Sequence, residues 1–170
     1  MKLLQKLLLV ILITPLTVKS EVGEANYPID FDKTINLDAE NLGELGISEA
    51  YERLIPELSK YIEKPEPIKE IINSSLPKYE VLISGIKYKV YDQSTSQLDS
   101  YVNAQYIFFK IVNIQLKDTK YKFYALYGWN DLQGIFLTQE EYEHIINSIK
   151  KKSEWPYLPT LREPHYGQAH

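Results

Sequence analysis

The chain has 170 residues and no cysteine, with 19 basic against 23 acidic side chains, and that length suffices for one folded domain with its own core. The missing thiol excludes disulfides, thiolate catalysis and thiolate metal sites. A net charge of −4 disfavours nucleic acid and anionic lipid as partners.

The first twenty residues carry an address. Lys2 and Lys6 form a basic start, Leu7 to Leu16 an apolar run broken by Pro15, and Val18 and Ser20 a small-residue cleavage site, the pattern of a secretory signal peptide over residues 1–20. The run is about half the ~20 residues a spanning helix needs, so cleavage after Ser20 and no stable membrane anchor are expected. Cleavage would leave 16 basic and 23 acidic residues, a net charge of −7. An exported chain of this size without disulfides suits a bacterial periplasm better than a small animal-type extracellular module. Periplasmic export is the expectation, with an extracellular location second.

Residues 21–46 show no sustained period and hold glycines and Pro28 among acids, which predicts an extended acidic arm lying along the domain. From Ser48, a helix N-cap by type, the residues Tyr51, Leu54, Ile55, Leu58, Tyr61 and Ile62 share a helical face, interrupted by Pro56. A second helix is predicted from Pro67 to Leu76. At Tyr79 the period changes to two, and Tyr79 to Ile83, Ser84-Gly85 and Ile86 to Val90 form a hairpin pattern. Tyr101 to Leu116 is apolar on both faces and is read as a central strand. Strands follow at Tyr121 to Tyr127 and Ile135 to Leu137. Thr138-Gln139-Glu140-Glu141 is a capping box that starts a helix with Tyr142, Ile145, Ile146 and Ile149 inward, and Lys150, Lys151 and Lys152 complement its dipole. Residues 153–170 hold three prolines and five large apolar side chains, a tail expected to dock in extended form.

The predicted architecture is one α+β domain over residues 47–152: two N-terminal helices, a four- or five-stranded twisted antiparallel sheet in sequential order, and a C-terminal helix, with the extended proline-rich tail docked on it.

Residues 21–66 carry 12 acids and 4 bases, a charge block that favours one basic protein partner, with Glu40, Glu44, Glu49 and Glu52 as candidate contacts. Eight of the fourteen tyrosines lie between Tyr79 and Tyr127, so Tyr88, Tyr91, Tyr106, Tyr124 and Tyr127 are candidates for a sheet face that holds a ligand. Asp131, Glu140 and Glu141 are the acids a hydrolase could pair, although the helix start explains the last two by itself. His144, His165 and His170 do not complete a ligand set, and no nucleophile elbow, zinc helix or phosphate loop is present. The sequence therefore nominates no catalytic residue, metal site or cofactor. Three readings follow: a non-catalytic protein-binding module, concretely a periplasmic inhibitor or toxin-immunity protein; a small-ligand carrier; and a cell-envelope hydrolase.

Overall fold

The computed structural model describes residues 28–162. The expected signal peptide and the last residues of the tail, His165 and His170 among them, lie outside the described residues. The fold is α+β, with antiparallel strands throughout.

The stretch expected as an extended arm is built from short elements. A turn at Phe31–Lys33 leads to strand β1 (Ile35–Asn36) and to a single helical turn, α1 (Ala39–Asn41). Asp38 caps that turn by accepting from the Asn41 N–H at 3.0 Å, and Ile29, Leu37, Ala39 and Leu42 are buried. A wide turn, Leu42–Gly46, then feeds helix α2 (Ile47–Leu58). Gly46, not Ser48, stands at the N-cap, and the backbone N–H of Ser48 donates to Glu70 at 2.9 Å. The inward stripe of α2 is Ile47, Ala50, Tyr51, Leu54 and Leu58. The helix stops at Leu58, soon after Pro56, whose ring cannot donate to the ladder.

The predicted second helix is a strand. β2 (Lys69–Asn73) pairs antiparallel with β3 (Lys78–Ile83), and Asn73 closes their turn by accepting from the N–H groups of Ser75 and Leu76 at 3.0 and 3.1 Å. Ile71 and Ile72 are β-branched and favour this state, so a short run with mixed spacing was decided by the neighbour it pairs with. β3 continues through Ser84 and Gly85, both left-handed, into β4 (Ile86–Tyr91), the hairpin read from the alternation.

The predicted central strand is also corrected. Residues Gln97–Gln115 form the 19-residue helix α3. Ser96 caps it, accepting from the Asp99 N–H at 3.1 Å. A helix buried on most sides is apolar all round, and Ala104, Ile107, Phe108, Phe109, Ile111 and Val112 are all buried. Because α3 intervenes, one sequential sheet becomes two sheets of three strands. β2, β3 and β4 form one, and β1, β6 (Gln133–Thr138) and β5 (Tyr121–Leu126) the other, with β6 central. Helix α3 packs against both β4 and β5.

The second sheet is covered on both faces. Phe123, Ala125 and Phe136 face the main core with α2 and α3, while Tyr124, Leu126, Ile135 and Leu137 face a smaller core built with Ile145, Ile149 and Ile29. The Phe123 ring lies over Gly134, where a Cβ would stand 2.0 Å from the ring. The second cover is α4 (Gln139–Ser148), begun by the predicted capping box: Thr138 Oγ1 accepts from the Glu141 N–H at 3.2 Å, and Glu141 accepts from the Thr138 N–H at 2.7 Å. The lysines at 150–152 fall beyond the end of α4 and so outside its last turn.

The outer edge of β5 has no open backbone. Thr119 Oγ1 accepts from the Tyr121 N–H at 3.1 Å and donates to its carbonyl at 3.3 Å. Asn113 accepts from the Phe123 N–H and donates to its carbonyl, both at 2.9 Å. Ala125 and Tyr157 exchange two backbone bonds at 2.8 Å. The chain after α4 is thereby held at Tyr157, which is buried, and at Trp155, whose indole N–H donates to the Ile149 carbonyl at 2.7 Å.

Candidate functional site

The four nominated acids all lie on the exposed surface of the α1, turn and α2 segment. The turn between the helices shapes it. Gly43 lets the backbone lie on the Tyr101 ring of α3, where a Cβ would meet the ring at 2.4 Å. Tyr101 then points its hydroxyl at the acids, 3.4 Å from Glu40 Oε1 and 3.5 Å from Glu44 Oε1, and accepts from Gln97 Nε2 at 2.6 Å. Partial desolvation, and then the field of the two carboxylates, raises the Tyr101 hydroxyl pKa above its ordinary value. Glu49 is paired with Arg53 at 3.3 Å on the next helix.

Between Glu44 and Gly46 stands Leu45, at φ 74° and ψ 22°. A non-glycine residue in this region costs roughly 1–2 kcal/mol, and the side chain held there remains 38% exposed. Leu98, on the first turn of α3 one turn before Tyr101, is 55% exposed. Two exposed apolar side chains thus belong to the segments that carry Glu40, Glu44 and Tyr101. The charge block was readable from the sequence, but Leu45, Leu98 and Tyr101 were not. Their one local signal was a glycine on either side of Glu44-Leu45, which marks a turn without saying what the turn presents.

The five nominated tyrosines do not share a face. Tyr88 on β4 and Tyr106 on α3 flank Lys110, whose ammonium donates to the Tyr106 hydroxyl at 2.8 Å and lies 5.4 and 5.1 Å from the two ring centroids. Tyr91 packs on Tyr79 with centroids 5.6 Å apart. Tyr124, on the other sheet, stacks on Tyr142 of α4 at 4.7 Å, and Tyr127 follows β5 in a left-handed conformation. Tyr106 left the sheet because its segment is helical.

The three hydrolase candidates also part. Glu140 and Glu141 line an open hollow of about 340 Å³ at the start of α4, with Asp30, Lys33 and His144 on its walls, while Asp131 is not among its lining residues. The Thr138 backbone N–H, and then its hydroxyl, hold the Glu141 carboxyl below the usual range. A carboxylate so stabilised is a poor general acid. Among the described residues no group of three or more metal-binding side chains converges, and no helix is long and apolar enough to cross a membrane.

No protein-family model, curated protein or solved structure matches the chain.

Proposed function

We propose that this protein is an exported, non-catalytic protein-binding module, concretely a periplasmic inhibitor or toxin-immunity protein, that engages one basic partner through the acidic surface around the Leu42–Gly46 turn. The observation that carries this reading is Leu45: an apolar side chain held in a strained backbone conformation and partly exposed beside Glu44, on a segment that also presents Glu40, Glu49 and Glu52 to solvent. Strain at a side chain that stays partly exposed is expected where that side chain is displayed for recognition. Apolar centres ringed by charge are the usual anatomy of a specific interface, and the acids would speed encounter with a cationic surface.

Co-purification from cell envelopes identifies the partner, and kinetics then test the surface. Leu45→Gly relieves the strain and loses the contacts of the covered part of the side chain, two opposed effects of similar size, so the folded state should be little changed, while dissociation from the partner accelerates. Charge reversal at Glu40, Glu44, Glu49 and Glu52 should slow association and flatten its salt dependence. A Leu45→Gly variant that binds as tightly as the parent removes the basis of the proposal.

A further inference from the structure

At the opposite end of α3 lies a second concave surface with the opposite charge. A hollow of about 270 Å³ is lined by Asn113, Leu116, Lys117, Lys120, Tyr121 and Lys122 among others. A second, of about 330 Å³, runs on between β5, α4 and the chain after α4, with Tyr124, Tyr142 and Tyr157 in its walls. Lys122 and Leu158 line both, so the two hollows adjoin at these side chains, and each is close to the size of the smaller small-molecule sites.

Its chemistry is one-sided. No carboxylate lines either hollow. Among the described residues Lys117 has only the distant Asp118, 4.0 Å away and pointing into solvent at 88% exposure, and neither Lys120 nor Lys122 makes an ion pair, although Lys120 lies within the electrostatic reach of Glu141 and 5.3 Å from the Tyr121 ring centroid. The alternation of β5 puts Lys122 and Tyr124 on the same face, so a cation and the aromatic wall are presented side by side. Leu158, 40% exposed, forms an apolar lip between the two halves. Recognition here cannot proceed by strand addition, because every outward backbone group of β5 from Tyr121 to Ala125 is already bonded within the chain. Side chains must do it. Three ammonium groups at one end and a tyrosine and leucine channel at the other are complementary to a small molecule with an anionic head and an apolar body.

We infer that this groove binds an amphipathic anion, with its carboxylate or phosphate at Lys117, Lys120 and Lys122 and its apolar part along Leu158 and Tyr142. The site is separate from the acidic surface and does not depend on the reading given to it.

The probes are decanoate, decyl phosphate, decanol and decyltrimethylammonium, each kept below its micelle concentration and titrated into the purified protein by calorimetry and by amide NMR. Decanoate or decyl phosphate should bind one to one, shifting signals at Lys122, Tyr124 and Leu158, and the tighter of the two names the head group. Each Lys→Gln change should weaken binding by about threefold to fivefold, the worth of an exposed ion pair. Combining Lys117→Gln, Lys120→Gln and Lys122→Gln should abolish it with an unchanged melting curve. Leu158→Ser should weaken both anions alike. Equal binding of decanol or the cationic probe, full affinity in the triple variant, or shifts that avoid the groove would overturn the inference.

Discussion

Asn113 substitutes for a missing strand. Its amide meets the Phe123 peptide as a neighbouring strand would, accepting from the N–H and donating to the carbonyl, both at 2.9 Å, and it also donates to the Phe109 carbonyl at 2.9 Å. Asn113→Ala deletes all three contacts and leaves both Phe123 groups without a protein partner at a half-buried edge. Each such bond contributes about 1 kcal/mol net. Water can reach part of this site, so the expected loss is about 2 kcal/mol, or roughly 6 °C in Tm for a domain of this size. Asn113→Asp should cost more at neutral pH, because a carboxylate would face two carbonyls that now accept its protons. Thermal melts by circular dichroism give the first number. Sedimentation supplies a second readout: an unpaired edge is a template for another chain, so the alanine variant should associate in a concentration-dependent way. A variant that melts within about 1 °C of the parent and remains monomeric would show that Asn113 does not guard the edge.

Thr138→Ala removes the acceptor for the Glu141 N–H and should lower stability by about 1 kcal/mol; an unchanged urea midpoint would mean that α4 does not rely on its box. At high pH, burial first and the nearby Glu57 carboxylate second push the Tyr61 hydroxyl up to about 12. The neutral phenol is favoured by folding, so its contribution is full below the unfolded value near 10 and is lost as pH rises from there through about 12. Tyr61→Phe keeps the ring stacked on Phe136, 4.3 Å away, and should flatten the fall in urea midpoint between pH 9 and 12. An identical fall in both proteins would place the alkaline loss elsewhere.

Where the sequence could be read, a local rule and the tertiary environment agreed. The capping box at Thr138 is satisfied within four residues, and the Ser84-Gly85 hairpin within two. The alternation from Tyr79 to Ile83 matches a strand with one buried face. Errors fell where burial erased the period. From Tyr101 to Leu116 apolar residues fall on most sides because α3 packs against both sheets and α2, and the partly buried Asn103, Lys110 and Asn113 are too narrow a polar face to reveal its period of 3.6. From Lys69 to Asn73 the run is five residues long, too short for periodicity to decide, and pairing with β3 settled it. The first of these errors dispersed the tyrosine face, because α3 holds Tyr106 and parts the sheet of Tyr88 and Tyr91 from that of Tyr124. The acidic block was legible because charge is additive along a chain, whereas the exposure of Leu45 follows from a backbone conformation that no residue type announces.

Helix α3 also explains why the two charged surfaces stand where they do. Tyr101 and Leu116 are fifteen residues apart, about 22 Å along the axis, with Glu40 and Glu44 beside the first and Lys117, Lys120 and Lys122 beside the second. Acids at the N-terminal end and cations at the C-terminal end both complement the helix dipole, by about 0.3–1 kcal/mol each when exposed. Part of each surface thus serves the fold, and charge reversal must be read with that in mind. Reversing Glu40 and Glu44 should lower stability and slow partner association together. Reversing Glu49 and Glu52, which belong to α2, should slow association with a smaller loss of stability, confined to Glu49, which stands in the first turn of α2 and pairs with Arg53. If both pairs alter melting alone and neither alters the on-rate, the acids exist for α3 and for solubility, and recognition would rest on Leu45, Leu98 and Tyr101 without electrostatic help.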